Sequence, residues 1–424
     1  MAAHSSQEAF DAYEKIAEAG DSGRSLSSQG DFAAAWKAAA KTYTADYRND
    51  YVYHAQMEPL NAIASVAPDG QSAEIWAGTQ AIGSVAKAVA DELGIAASSV
   101  TFHPYLLGGG LGRRSAHDAI IEAVRLSKAV KQPVKLLWTR EDDLRYGMYR
   151  PLSLQRMQAA VDASGSLSGL SHTLVGDGDG LLASGSKNEF YDIPHQQVEL
   201  HAVKTGIRLK HWRSVGHGPN KFAIESMIDE VAAGEGMDPL ALRQRLMHHS
   251  PRALKTLEKA AEMAHWGSAP AAGRARGIAF GERSGALCTG ICEISLDREA
   301  GKICVHHFWL AVDAGIIVQP DNAIAQLEGG ILMGMSSVLH EQLTIEQGRV
   351  QQSNYHDYSL LRMADMPESV EIALIDSQSA PQGIGEASLP MVGGAIANAF
   401  AALTGKRLRH LPFTPERVKE ALGA

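Results

Sequence analysis

The stretch PQGIGEASLPMVGGAIANAFAALTG, which begins at Pro381, contains one charged side chain, the carboxylate of Glu386. Its glycines allow a sharp turn, and Pro390 suits the first turn of the helix that follows, so the carboxylate is expected near a helix N-terminus. The helix dipole stabilises an acid at that position by about 0.3 to 1 kcal/mol. Burial acts in the opposite direction, because desolvation raises the pKa of a carboxyl and produces a base suited to neutral pH. The local residues leave open a helix-start acid and a catalytic base.

A second candidate is the glycine-rich segment LLGGGLGRRS, from Leu106 to Ser115, which lies between a predicted strand and a predicted helix. The backbone N–H groups of such a loop, together with a helix N-terminus, can bind phosphate. The segment does not match the dinucleotide-binding pattern G-x-G-x-x-G, because Arg113 stands where the third glycine is needed. A plain tight loop and a close approach to an anionic ligand are equally supported.

The histidines give weaker indications of a site. His54 and Glu58 have the i, i+4 spacing of a metal-binding pair, but Pro59 follows directly and the sequence offers no third ligand, so a local hydrogen bond is the better interpretation. Two pairs of adjacent histidines are given no ligand role, because neighbouring side chains point in different directions. These pairs are His248/His249 and His306/His307.

Composition excludes several classes of function. The chain has 424 residues, 45% of them hydrophobic, and a formal net charge of -9 without a basic stripe, so a nucleic-acid partner is not expected. It lacks the apolar run of about 18 to 20 residues that a membrane span needs, and MAAHSSQEAF lacks the features of a signal peptide. We therefore expect a cytoplasmic chain, with export on a partner's signal as the alternative. No G-x-S-x-G, Walker or HExxH motif supports a hydrolase or nucleotide-triphosphatase.

The three cysteines, Cys288, Cys292 and Cys304, are too few for a disulfide framework or for the four thiolates of an iron–sulfur cluster. Cys292 and Cys304 could face each other across a hairpin, but buried free thiols are the expected state. Any redox cluster must lie on another chain.

The elements that position these residues alternate between strand and helix. From Tyr51 to about Asp143 the order is strand AEIWAG, helix AIGSVAKAVADELG, strand SSVTFHPYL, the glycine loop, helix AIIEAVRLSKAVK and strand PVKLLWT. Three strands follow, LQRMQAAVD, LSGLSHTLVG and QQVELHAV, and then the turn WRSVGHGPN and the helix FAIESMIDEVAAGEG. This pattern predicts a first α/β domain over residues 51–270.

A second α+β domain is predicted over residues 271–424, after the Gly-, Ala- and Pro-rich boundary HWGSAPAAGRARG. It contains the hairpin ICEISLDREAGKICVHHFWLAVDAG and the helices AIAQLEGGILMGMSSVL and PMVGGAIANAFAALTG. Residues 1–50 are expected to be an N-terminal appendage with a polar helix QEAFDAYEKIAEAG, a loop GDSGRSLSSQGD and an Ala-rich helix DFAAAWKAAAKTY.

Eight segments of the chain, taken in order, resemble a known family. They are YHAQMEPLNAIA, WAGTQ, GGGLGRR, VKLLWTREDD, WRSVGHG, VDAGIIVQPDNAIAQLEGGILMG, NYHDYSLLRMADMP and QGIGEASLP. Together they resemble the molybdenum hydroxylases of the xanthine dehydrogenase and aldehyde oxidase family, and most closely the molybdopterin subunit of the branch of isoquinoline 1-oxidoreductase and bacterial aldehyde dehydrogenases. The resemblance runs from about Ala34 to the end, and it implies an α+β fold with two mixed α/β molybdopterin-binding domains.

The resemblance also implies a cofactor, molybdopterin cytosine dinucleotide, whose dithiolene holds the molybdenum without a side-chain ligand. The glycine loop would contact it through backbone amides, one glutamine would bond an oxo ligand of the metal, and a second would contact the pterin. An arginine would complete the cofactor's immediate surroundings. These positions are Gln80, Gly110, Leu111, Gly112, Arg213 and Gln326.

Glu386 matches the family's catalytic base, which would take a proton while an electron-poor substrate carbon is hydroxylated with oxygen from water. Three positions depart from the purine-oxidising relatives. Ser115 stands where they have a glutamate, Val215 where they have an aromatic residue, and Leu182 where they have a substrate-orienting arginine. The resemblance therefore implies an apolar pocket that suits aldehydes or N-heteroaromatic rings better than xanthine.

Two segments of the family, a Gly-Gln-Gly and a Gly-Gly-Ser/Thr that close over the pterin, do not occur in this sequence. In the isoquinoline branch they lie N-terminal to everything found here, so the chain resembles the C-terminal half of that subunit. The resemblance then implies three partners: a smaller molybdopterin-binding subunit that completes the cofactor site, a chain with two [2Fe-2S] clusters, and a cytochrome or flavin acceptor.

Two other functions stay open at this point. One is an NAD(P)-type α/β dehydrogenase that uses the glycine loop, although the third glycine is missing. The other is a non-catalytic structural partner, against which the joint presence of Gln80, Arg213 and Glu386 argues.

Overall fold

The computed structural model describes residues 4–20 and 23–423, and the strands of these residues form five sheets. The strands are β1 (Arg24–Gln29), β2 (Lys41–Asn49), β3 (Val52–Tyr53), β4 (Asn61–Val66), β5 (Ala73–Ala77), β6 (Val100–Pro104), β7 (Val134–Leu137), β8 (Tyr149–Arg150), β9 (Ser153–Val161), β10 (Leu167–Gly176), β11 (His195–Ala202), β12 (Arg274–Arg283), β13 (Ala286–Asp297), β14 (Lys302–Asp313), β15 (Ile345–Glu346), β16 (Arg349–Val350), β17 (Ser369–Leu374) and β18 (His410–Leu411).

Helices cover the sheets and connect them. They are α1 (Ser6–Ala19), α2 (Phe32–Ala38), α3 (Ile82–Leu93), α4 (Asp118–Val130), α5 (Arg140–Tyr146), α6 (Gly180–Ala183), α7 (His217–Gly234), α8 (Pro239–Leu246), α9 (Pro251–Met263), α10 (Pro320–Leu339), α11 (Val392–Thr404) and α12 (Pro415–Leu422). Within the described ranges, no helix has the length and apolar character to cross a membrane.

The largest sheet has six strands in the order β1-β11-β10-β9-β2-β18. Two of its strands come from the first fifty residues, and β18 comes from the C-terminal end of the chain. The segment GDSGRSLSSQGD was expected to be a loop, and for residues 24–29 that expectation is wrong, because they form the edge strand β1 beside β11. Apart from Leu26 its side chains are polar, and none is buried, so the sequence shows no hydrophobic alternation there. Asp21 and Ser22, also in the expected loop, lie outside the described residues.

The Ala-rich helix was predicted too long. It ends at Ala38, and residues 41–49 form β2, which pairs with β9 over its whole length. In the second half of β2 buried and half-buried residues alternate, since one face packs on the core.

A four-stranded sheet, β6-β5-β4-β7, carries α3 and α4 on its apolar side and holds the glycine loop at the end of β6. The five strands and α-helices from Ala73 to Leu137 were predicted, because each helix has one apolar face and each strand is flanked by turn residues. The strand–loop–helix order predicted for the glycine segment is confirmed, with a short 3-10 turn at Arg113–Ser115 before α4.

The second mixed unit is built on the sheet β12-β13-β14-β17. The predicted hairpin is confirmed, with Asp297 of β13 opposite Lys302 of β14. Helix α11 packs closely on β12, where a Cβ atom on Gly277 would lie 2.1 Å from the backbone nitrogen of Ala399. Pro390 lies two residues before α11 and not in its first turn as expected, because Met391 is the N-cap.

Helix α7 begins at His217, five residues before the predicted start at Phe222. The segment WRSVGHGPN was expected to be a turn throughout, but its last four residues form the first turn of this helix. Pro219 is tolerated there because the first helical turn needs no N–H donor. Asn220 secures the turn, since its side chain donates to the carbonyl oxygens of Leu182 at 2.7 Å and Ser184 at 2.9 Å.

Candidate active site

Glu386 lies in the segment between β17 and α11, and its two carboxylate oxygens have different partners. Oε1 accepts a hydrogen bond from the backbone N–H of Ser214 at 2.9 Å. Oε2 accepts from Nε of Arg283 at 2.7 Å, and Nη2 of the same guanidinium lies 2.6 Å away. The side chain is 32% exposed, so the carboxylate is held in place but remains open to a ligand.

The residues that face Glu386 are held in a strained turn. Ser214 and Val215 have φ values of 71° and 54°, which L-residues with a side chain rarely adopt. Two hydrogen bonds fix this conformation, from Ser214 Oγ to the carbonyl of Glu386 at 2.6 Å and from the N–H of Val215 to the carbonyl of Trp212 at 2.6 Å. Strain of this kind costs about 1 to 3 kcal/mol per residue and is often found at functional sites.

Arg213, which precedes this turn, connects the Glu386 segment with α10. Its Nε donates to the carbonyl of Gly385 at 2.8 Å, and its Nη2 donates to the backbone oxygen of Gln326 at 3.1 Å and to Oε1 of that residue at 3.3 Å. Burial lowers the pKa of Arg213 and the Glu386 carboxylate partly offsets this effect. The structure thus brings together three of the predicted site residues.

The glycine loop packs between Gln80 and the strand-like segment before α7. Gln80 Oε1 accepts from the N–H of Gly112 at 3.0 Å, and a Cβ atom on Gly110 would lie 2.5 Å from the same oxygen. A Cβ atom on Gly112, whose φ is 103°, would lie 2.0 Å from the carbonyl oxygen of His211. Gly112 is therefore required for the close approach, because its neighbour is backbone, whereas a Cβ atom on Gly110 would meet the side chain of Gln80. Leu111 between them has a φ of 51°. Through His211 the loop reaches the Arg213 turn.

The donors of this site fit a molybdopterin group. Among the hydrogen bonds of the described residues, none uses the backbone N–H of Gly109, Gly110 or Leu111, so these groups can donate to an anionic, oxygen-rich ligand. The amide nitrogen of Gln80 and the guanidinium of Arg213 add further donors.

The three predicted substrate-pocket residues have different surroundings. Val215 is buried and directly follows the residue that donates to Glu386. Ser115 donates through Oγ to the carbonyl of Gly112 at 2.7 Å and so supports the glycine loop. Leu182 is also buried, and its side chain belongs to an apolar cluster of the six-stranded sheet. The other buried members of that cluster are Leu174, Val198 and Leu200.

Two charged residues at the end of β12 were not identified from the sequence. Arg283 holds Glu386, and Glu282 lies 3.6 Å from both Nε2 of His217 and Nζ of Lys221. Burial alone would raise the pKa of Glu282, but the contact with His217 and the charge of Lys221 outweigh it and lower the pKa to about 2. The adjacent pair of opposite charges in GIAFGERSGALC, within an otherwise apolar hairpin, was the indication available in the sequence.

His54 and Glu58 stabilise the segment before α7 and the glycine loop through hydrogen bonds. Both ring nitrogens of His54 lie at hydrogen-bond distance from a carbonyl oxygen, that of Met148 at 3.1 Å and that of His211 at 2.6 Å. Burial lowers the pKa of His54 to about 3, so the ring is neutral. Glu58 accepts from the N–H of Gly108 at 2.7 Å. Local hydrogen bonds were the preferred interpretation of this pair, and each residue makes them, although not with the other.

The three cysteines are free thiols, as expected. Burial raises the pKa of Cys288 and Cys292. Cys292 does not face Cys304 across the hairpin, because the register of β13 and β14 places it opposite Phe308.

Comparison with protein families matches the model for the molybdopterin cofactor-binding domain over residues 17–247, more than half of the chain. This chain belongs to the molybdopterin cofactor-binding domain family. A second model with the same description matches residues 224–367. The family resemblance drawn from the eight segments is thereby confirmed, and the family match argues against an NAD(P)-type dehydrogenase.

Among curated proteins, the β subunit of isoquinoline 1-oxidoreductase from Brevundimonas diminuta is 34% identical over 87% of this chain and 50% of its own length. A protein named membrane-bound aldehyde dehydrogenase [pyrroloquinoline-quinone], from Gluconacetobacter polyoxogenes, is 32% identical over 89% of this chain and 54% of its own length. The molybdopterin-binding chain thus spans about half the length of these relatives.

Among solved structures, quinoline 2-oxidoreductase from Pseudomonas putida 86 superposes with a TM-score of 0.86 and 15% identity, over 95% of this chain and 79% of that chain. At this identity the likeness concerns the fold alone. It confirms the predicted mixed α/β fold of this family.

Proposed function

We propose that this chain is the catalytic, molybdopterin-binding part of a molybdenum hydroxylase that oxidises an aldehyde or hydroxylates an N-heteroaromatic ring with oxygen from water. The observation that carries the proposal is the fixed carboxylate of Glu386, held by Ser214 and Arg283 next to the Arg213–Gln326 contact. The names of the relatives, which refer to isoquinoline, quinoline and aldehydes, support the substrate class.

The proposed cofactor is molybdopterin in its cytosine dinucleotide form. When bound, it supplies the two-electron redox chemistry, while the protein supplies binding, orientation and the base. Backbone N–H groups of the glycine loop would hold its anionic groups, and the side chains of two glutamines and one arginine would add hydrogen bonds. The residues proposed to hold it are Gln80, Gly110, Leu111, Gly112, Arg213 and Gln326.

Glu386 is proposed to accept a proton during the reaction. A general base must be held within hydrogen-bond reach of the proton that it removes, and the strained Ser214 turn and the Arg283 guanidinium both restrain the carboxylate. These contacts give the residue a defined orientation that a simple helix-start acid does not need.

The substrate pocket is proposed to be apolar around Val215, with Leu182 and Ser115 supporting its walls. Val215 offers no aromatic face for stacking a purine. Leu182 and Ser115 offer no charged group that would recognise one. A small planar ring or an aldehyde is the proposed substrate.

The proposed partners follow from what the chain does not supply. The chain has three free cysteines, two of them buried, and the [2Fe-2S] clusters that would take the electrons are proposed to lie on another subunit. A smaller molybdopterin-binding subunit is proposed to complete the cofactor site, and a cytochrome or flavin to accept the electrons. The cytoplasm is the proposed compartment.

Replacement of Glu386 by Gln tests the function. The expected result is that molybdenum content is unchanged while turnover of aldehydes and N-heterocycles falls on the order of 10² to 10⁴-fold, because the amide keeps the shape and cannot accept the proton. Glu346→Gln, an exposed acid in β15, is the matched control and should keep full turnover. Normal turnover in Glu386→Gln would contradict the proposal.

A further inference from the structure

The register of the β12–β13 hairpin places Arg283 next to Glu386. It is the last residue of β12 and lies opposite Ala286, the first residue of β13, so the strand fixes its backbone. Its guanidinium approaches Oε2 of Glu386 with two nitrogens, Nε at 2.7 Å and Nη2 at 2.6 Å. The two side chains are 24% and 32% exposed, which makes this a partly buried, charge-assisted contact.

The contacts of Glu386 are unequally divided between its oxygens. An ionised carboxylate offers about four acceptor positions, two on each oxygen. Arg283 occupies Oε2, donating to it through Nε while Nη2 lies 2.6 Å away, whereas Oε1 accepts a single N–H, that of Ser214. One acceptor position on Oε1 therefore remains for a further proton.

The other cations near this carboxylate are engaged elsewhere or are not permanent. Among the described residues, the charged or titratable groups that act on Glu386 are Arg283 from β12 and Arg213 and His211 from the segment before α7. Arg213 donates to carbonyl oxygens and to Gln326, and burial lowers the pKa of His211. Arg283 thus makes the direct and permanent ion pair.

We propose that Arg283 is a positioning residue that anchors Glu386 through Oε2 and leaves Oε1 as the proton-accepting atom. The inference rests on the proposed role of Glu386 as the base and names how that base is oriented. Without Arg283 the carboxylate keeps only the Ser214 N–H and can rotate.

A second arginine on the same strand provides the control. Arg276 donates through Nε to Glu293 at 3.0 Å, in an ion pair that is also partly buried, at the other end of β12. Loss of a merely structural ion pair should have the same small effect in Arg276→Met and in Arg283→Met. If Arg283 positions the base, the loss of turnover should appear only in Arg283→Met.

The test compares Arg283→Met, Arg283→Lys, Arg283→Ala, Arg276→Met and Glu386→Gln in the complex that co-purifies with this chain. For Arg283→Met we expect unchanged molybdenum and a kcat lower by at least about tenfold with KM within about threefold, because the base is no longer held in its productive orientation. Arg283→Lys should recover part of kcat, and added ethylguanidine should partly restore Arg283→Ala. Arg276→Met should behave as the wild type.

A second readout does not depend on the loaded enzyme. Amidation of carboxylates by a carbodiimide and glycine ethyl ester, followed by mass spectrometry, should label Glu386 several-fold faster in Arg283→Met than in the wild type, because the guanidinium no longer covers Oε2. If Arg283→Met does not fold, Arg283→Gln is judged by the same criteria. Wild-type kcat and wild-type labelling in the variant would overturn the role of Arg283. Turnover in Glu386→Gln would instead overturn the proposed function itself.

Discussion

The glycine wall of the site (Gln80 and Gly109–Gly112) and the charged wall (Arg213, Arg283 and Glu386) differ in the groups that they present. The glycine wall offers backbone N–H groups and one neutral amide, and its geometry depends on the absence of side chains. The charged wall offers three ionised side chains that contact one another or the same segment of backbone. The first arrangement suits binding of an anionic group by shape, and the second suits movement of a proton.

The two walls should therefore respond differently to substitution. A single added methyl group should disrupt the glycine wall, because its close backbone contacts leave no space for a side chain. The charged wall should tolerate changes of shape better than loss of charge. The following substitutions test this difference, beginning with the largest expected effect.

Gly112→Ala should break the glycine wall. The new Cβ would lie 2.0 Å from the backbone oxygen of His211, and backbone cannot move aside as a flexible side chain can. We expect the molybdenum content of the complex to fall about tenfold or more, since a clash of about 1 to 3 kcal/mol is directed at the cofactor contact. Molybdenum analysis of the purified complex measures it.

Gly94→Ala is the matched control. Gly94 also has a positive φ, 74°, but a Cβ atom there would meet nothing within 4 Å. It should lower stability by about 1 kcal/mol and leave the molybdenum content unchanged. Equal molybdenum loss in both variants would show that backbone strain, and not the contact with His211, is responsible.

Arg213→Met should weaken the charged wall without a steric clash. It removes the hydrogen bonds to Gly385 and Gln326, and bonds to a charged group contribute about 1.5 to 3 kcal/mol each. We expect molybdenum content and turnover both to fall about five- to tenfold, with partial recovery in Arg213→Lys. Full molybdenum content and full turnover in Arg213→Met would show that this arginine only connects two segments of chain.

The sequence was sufficient for elements whose pattern is local. Helices α3 and α4 were predicted within about two residues because each has one apolar face. Strand β1 was missed because it has a single apolar residue, Leu26, and its conformation depends on pairing with β11. The first turn of α7 was missed for a similar reason, since Asn220 bonds to carbonyls about 36 residues away in sequence.

The prediction of site residues divides in the same way, between local sequence patterns and contacts that form only on folding. Glu386 could be singled out from its neighbours, a glycine turn and an apolar helix, and the roles of the other residues came from the family resemblance. Arg283 could not be found in this way, because it lies 103 residues from the carboxylate that it contacts and only tertiary packing joins them.

The smallest expected effect concerns stability at the edge of the charged wall. The pKa of Glu282 is lowered from an ordinary 4.5 to about 2, so its contacts with His217 and Lys221 stabilise the folded state above pH 4.5 and are lost as the pH falls through 2. Glu282→Gln should be less stable than the wild type by about 1 to 2 kcal/mol at pH 7, with the difference shrinking between pH 4.5 and 2. Thermal unfolding over this pH range measures it.

Glu189→Gln serves as the control for this prediction. Glu189 and Glu282 both line a cavity of about 530 Å³, and Glu189 is exposed. Its stability should follow that of the wild type at every pH. A constant difference between Glu282→Gln and the wild type across the range would contradict the assignment of the pH-dependent stability to this ion pair.

The most direct test of the central claim is analysis of metal and pterin in the complex that co-purifies with a tagged copy of this chain from its native host. The account predicts near-stoichiometric molybdenum, a cytosine dinucleotide pterin, and iron from [2Fe-2S] clusters on a second polypeptide. A chain that purifies without molybdenum or pterin, under conditions that keep its fold, would contradict it.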